Sequence, residues 1–190
     1  MRQLRTPVLF AIAGLAAAAL VACGAEGSTA EGTSQKPAAS GKTSAGAELQ
    51  RVIPSERIYT IDDLRAGGLK TIKEYDTREL PEAIAAWRGA FNQLEYEARF
   101  YPSHQAALAP GGEWADIVTG EDAVVTGDDV KWQEGARDRK KCSRNIPHSG
   151  CDYSARYGDF VTIGNLVLLC EGATQQDAIL NCNKLLSGVK

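Results

Sequence analysis

Phe160-Val161-Thr162-Ile163-Gly164-Asn165-Leu166-Val167-Leu168-Leu169 reads as two short apolar strands around a two-residue turn. Gly-Asn between two β-branched and aliphatic runs is a hairpin signal, because both turn positions tolerate a positive φ. A second strand reads out of Glu95 to Tyr101. Tyr96, Ala98 and Phe100 point one way, while Glu95, Glu97, Arg99 and Tyr101 point the other. That alternation predicts a half-buried strand with water on its charged side.

Helical patterns surround these strands. Thr60 before Asp62 and Asp63 looks like a helix start, with Gly67-Gly68 as its stop. Leu80, Ile84, Trp87, Phe91 and Leu94 recur at three- and four-residue steps behind Pro81, which predicts a long amphipathic helix. Ser103 is placed to cap a helix carrying Ala107 and Leu108. Pro110-Gly111-Gly112 interrupts it, and Trp114, Ile117 and Val118 suggest a further turn. Asp128 or Asp129 is expected to cap a short helix running toward Cys142. Residues 145–157 read as loop. Ala178, Ile179, Cys182, Leu185, Leu186 and Val189 predict a final amphipathic helix. The whole implies a small α+β domain, a mainly antiparallel sheet with helices packed on one face.

The N-terminus has a different composition. Arg2 and Arg5 precede Val8 to Val21, a run without charge, which is short for a membrane span and fits a signal-peptide core. It ends in Leu20-Val21-Ala22-Cys23-Gly24, which resembles the lipobox of bacterial lipoproteins. The resemblance implies that residues 1–22 are removed and that Cys23 carries lipid as the new N-terminus. Two or more acyl chains would then hold the protein on a membrane outside the cytoplasm. Residues 24–48 contain no Val, Ile, Leu, Met or aromatic residue. They are expected to form a flexible tether spanning roughly 25–30 Å. Ser40-Gly41-Lys42-Thr43 imitates the end of a phosphate-binding loop, but the first glycine of that loop is replaced by Lys36. Residues 49–190 are expected to be one extracytoplasmic domain.

The remaining cysteines, Cys142, Cys151, Cys170 and Cys182, are even in number in an exported chain, which implies disulfides. The pairs Cys142–Cys151 and Cys170–Cys182 are favoured because each closes a short loop. A zinc site from Cys142, His148 and Cys151 is the rival, although the spacing departs from the usual C-x₂-C knuckle. Neither His104 nor His148 has metal-helix spacing, and no G-x-S-x-G elbow occurs. Glu121, Asp122, Asp128 and Asp129 lack the alternation of a calcium loop. No cofactor is expected.

Lys131, Arg137, Arg139, Lys140, Lys141 and Arg144 form the densest basic cluster, a candidate surface for anionic headgroups, an envelope polymer or an acidic protein. Once Arg2 and Arg5 are subtracted from the 21 Lys and Arg, 19 face 24 Asp and Glu, which argues against nucleic acid as a partner. The stretch Tyr157 to Leu169 with the helix behind it is similar to the ends of some small extracytoplasmic lipoproteins. Glu97 to Tyr101 is similar to segments of uncharacterised bacterial proteins. Neither resemblance brings an activity. The reading that follows is a membrane-anchored binding or accessory module, with an envelope hydrolase and a polymer-binding structural module as alternatives.

Overall fold

A computed structural model describes residues 50–141 and 154–190. Its centre is a six-stranded sheet in the order β1-β5-β6-β4-β3-β2. The strands are β1 (Val52–Ile53), β2 (Lys70–Tyr75), β3 (Ala85–Phe91), β4 (Leu94–Phe100), β5 (Tyr157–Ile163) and β6 (Leu166–Glu171). All pairings are antiparallel except the short β1–β5 pair. The helices are α1 (Ile61–Ala66), the short turns α2 (His104–Ala106) and α3 (Glu113–Asp116), and α4 (Gln175–Leu186). The architecture is α+β with a mainly antiparallel sheet, as the sequence implies.

The hairpin β5–β6 turns at Gly164-Asn165, and its residues serve more than the turn. Gly164 has φ +52°. A Cβ there would lie 2.2 Å from the carbonyl oxygen of Arg57, so only glycine lets the segment before α1 cross so closely. The buried Asn165 side chain accepts from the Tyr59 N–H at 2.6 Å and donates to the carbonyls of Tyr59 and Tyr101. α1 begins at the expected Thr60, whose backbone N–H donates to Asp63. α4 begins at Thr174, whose hydroxyl accepts from the Asp177 N–H. It lays Ala178, Ile179, Cys182 and Leu185 on the face of the sheet that carries Tyr96, Ala98, Phe100, Val161, Leu166 and Leu168. Cys170 on β6 and Cys182 on α4 form the expected disulfide inside this core, with Cα atoms 5.6 Å apart.

Three expectations are corrected, two of them helices. Residues 80–94 are not a helix. Ala85–Phe91 is strand β3, and it returns as β4 through Asn92 and Gln93, both at positive φ (49° and 66°). Trp87 and Phe91 lie four apart, a spacing that suits a helical face and one side of a strand equally. Gly89 decides against the helix, since it opens space that Leu69 fills; a Cβ there would meet the Leu69 side chain at 2.8 Å. The expected helix behind Asp128 and Asp129 is likewise a run of turns.

The charged side of β4 does not face water. Glu95, Glu97, Arg99 and Tyr101 are all buried, with Glu97 at 0% and Arg99 at 1% exposure. Helical turns α2 and α3 cover Tyr101, Tyr157, Phe160, Val167 and Leu169, and Trp132 covers Tyr75, Leu80 and Ala86. The second face of the sheet is therefore a core too, sealed largely by chain without regular structure.

Candidate functional site

The irregular covering is held by charge. Glu97 Oε1 accepts from Arg99 Nε at 2.7 Å, and its Oε2 accepts from Arg139 Nε at 2.9 Å. The Arg139 guanidinium stacks 4.1 Å above the Trp132 ring and donates to the carbonyls of Trp132 and Glu134. Beside it, Arg88 bridges Glu95 at 2.7 Å and Asp138 at 2.8 Å, and Tyr75 donates to Asp138 at 3.0 Å. Burial alone would raise the Glu97 pKa; Arg139 and Arg99 outweigh that and hold it below the ordinary 4.5. Burial and the nearby Glu97 carboxylate push the Tyr157 hydroxyl well above its usual value. Glu97, Arg139, Arg88, Glu95, Asp138 and Tyr75 are engaged with one another, which makes the cluster architectural, while the buried Tyr157 hydroxyl and Arg99 Nη1 have no hydrogen-bond partner among the described residues.

That finding removes Arg139 from the basic surface. It is 1% exposed and compensated by Glu97. The rest of the set is dispersed. Lys131 is exposed above Trp114, Arg137 is exposed, and Lys140 is part-buried, its backbone bridged to Ala155. Arg144 lies outside the described residues, as do Cys23, Cys142, Cys151 and His148, so the Cys142–Cys151 pairing and the zinc reading fall there. His104 Nδ1 lies 2.7 Å from the Gly164 carbonyl oxygen at the hairpin turn. Among the described residues no three His, Cys, Asp or Glu side chains form a metal-binding group, and no helix is long and apolar enough to cross a membrane.

Lys141 is different, because it stands between two surface cavities. The larger, about 610 Å³, is lined by Glu121, Asp122, Lys141, Ser154 and the turn Gly172 to Gln176. The smaller, about 400 Å³, runs from Lys141, Gly172 and Ala173 past Leu94, Asp177 and Leu180. Shared walls make the two one groove over the start of α4. Gly172 shapes its floor, since a Cβ there would sit 2.4 Å from the Ala178 amide nitrogen. At Gly158 a Cβ would come 2.8 Å from the Thr174 carbonyl oxygen. Both glycines let strand ends and helix start approach without side chains between them. Gln175 and Gln176 occupy the first turn of α4, where backbone N–H groups lack an intrahelical acceptor.

The side chains of Glu121, Asp122, Lys141, Gln175 and Gln176 make no hydrogen bond or ion pair among the described residues. Among the described residues some exposed charges elsewhere are paired, as in Arg65–Asp62 and Lys73–Glu134, and others such as Glu56, Lys70 and Glu113 are not; the groove set is distinguished by lining one cavity. Glu121 and Asp122 stand out in the sequence as part of an acidic group and Lys141 as part of the basic run; Gln175 and Gln176 carry no sequence signal.

Residues 60–190 match the model of a family of unknown function (DUF6810). The chain belongs to that family. Every groove residue lies inside the DUF6810 match, whereas β1 lies before it. Neither the curated proteins nor the solved structures include a match to the chain.

Proposed function

We propose that this chain is a lipid-anchored extracytoplasmic lipoprotein whose domain is a binding module, with the groove at Lys141 as its ligand site. The observation that carries the binding reading is the set of five polar side chains, Glu121, Asp122, Lys141, Gln175 and Gln176, around one cavity, none of them hydrogen-bonded or ion-paired among the described residues. Polar groups left unpaired on a formed cavity wall can exchange water for a ligand without breaking an internal contact. The lipobox-like Leu20 to Cys23 supports the anchor, and the polar tether would keep the groove within tens of ångströms of the membrane surface. Cys170–Cys182 suits an oxidising compartment.

The test is hydrogen exchange of the intact protein in its native membrane against the same protein purified in detergent. Protection confined to residues 120–122 and 172–176 in the membrane sample is the expected result. The same exchange in both samples would contradict the proposal.

A further inference from the structure

We infer that residues 50–53 are a releasable strap on the edge of the sheet, latched by Arg51 onto Asp159 and Asp116, a device separate from the groove. With β1 set aside, β5 is the outer strand of the sheet, and its Phe160, Val161 and Thr162 are buried. A strand edge of that composition is a template for pairing with another chain unless something covers it. β1 covers the last two residues of β5, with Val52 opposite Thr162 and Ile53 opposite Ile163. The Thr162 N–H donates to the Arg51 carbonyl at 2.7 Å.

One side chain holds this cover in place. Arg51 Nη2 lies 2.8 Å from Asp159 Oδ1 and 2.6 Å from Asp116 Oδ1, and the guanidinium stacks 4.3 Å above the Phe160 ring. Both ion pairs use the same nitrogen, while the buried Arg51 Nε has no hydrogen-bond partner among the described residues. Asp159 is buried, and its Oδ1 also accepts from the Phe160 N–H at 2.8 Å. That bond does not involve Arg51, so opening the strap frees the Thr162 N–H while Phe160 keeps its acceptor. β1 itself adds little, since Val52 is 42% exposed and Ile53 is part-buried. The chain is locked only further on, where Asn165 holds Tyr59 and the Arg57 carbonyl crosses against Gly164. The strap therefore swings about residues 54–56.

The experiment follows amide exchange of the ¹⁵N-labelled full chain in detergent micelles at rising, sub-denaturing urea. Thr162 exchange is expected to be nearly independent of urea, as a local opening requires. Leu168, paired on both sides with Ala98 and Val161, should exchange through larger openings that urea promotes steeply. Arg51→Gln should speed Thr162 exchange about fivefold, the size expected of a partly exposed ion pair, and leave Leu168 unchanged. Asp159→Asn keeps an acceptor for the Phe160 N–H. It should speed Thr162 exchange in the otherwise unaltered protein and add nothing in Arg51→Gln, because the two residues act as one latch. The same urea dependence at Thr162 and Leu168 would overturn the strap. So would Thr162 exchange unmoved by Arg51→Gln, or a full further gain from Asp159→Asn in that variant.

Discussion

Glu97 lies at 0% exposure between Arg99 and Arg139, so its charge cannot be removed without leaving two buried guanidiniums short of an acceptor. Breaking one partner of such a cluster costs about 3–5 kcal/mol. Glu97→Gln is therefore expected to lower the urea midpoint of unfolding by that equivalent, and an unchanged midpoint would refute the role. The pH dependence follows from the same carboxylate. Its folded pKa is depressed below 4.5, so its contribution is complete above that value and is lost as pH falls through the lower folded value. The unaltered protein should lose stability on acidification below the ordinary 4.5, and Glu97→Gln should flatten that dependence. The sequence shows the alternation that puts Glu97 and Arg99 on one side of β4. It does not show that side to be covered, because the covering residue Arg139 is 42 positions away and reads as one more cation in a basic run.

Elements were legible where the signal was local and illegible where it was shared between structures. The β5–β6 hairpin, α1 and α4 follow from turn chemistry, caps and a single apolar stripe. β3 failed because Trp87 and Phe91 satisfy two periods, and the deciding contact, Leu69 filling the space at Gly89, is tertiary. β2 was hidden for a related reason: Ile72 and Glu74 are exposed, and a register shift between Thr71 and Lys73 breaks the alternation. The Cys170–Cys182 bond joins β6 to α4 at a sequence separation of 12. Closing a loop of that size stabilises by about 3 kcal/mol through the unfolded chain. A Cys170→Ala/Cys182→Ala variant is expected to lose about that much in a denaturant titration. Retention of full stability would show that the α4 packing carries the link alone.

At the scale of the molecule, both faces of the sheet are buried, and the groove forms where the covering of the second face ends against α4. Glu121 and Asp122 come from one segment, Lys141 from another, and Gln175 and Gln176 from the helix start. No sequence spacing relates these segments, which is why the groove residues read separately as caps, turns and a basic run. The proposed anchor has the opposite character, since its motif, Leu20 to Cys23, is contiguous. Cys23→Ser is expected to move the protein from the membrane pellet to the soluble fraction and to abolish fatty-acid labelling. Unchanged fractionation would refute the anchor while leaving the domain reading intact. The central claim, that the groove at Lys141 is where this protein binds, is tested most directly by hydrogen exchange in the native membrane against detergent-purified protein. Slower exchange at residues 120–122 and 172–176, with β2 and the hairpin turn unchanged, is the predicted result. Identical exchange at the groove, or protection confined to the β2 edge, would contradict it.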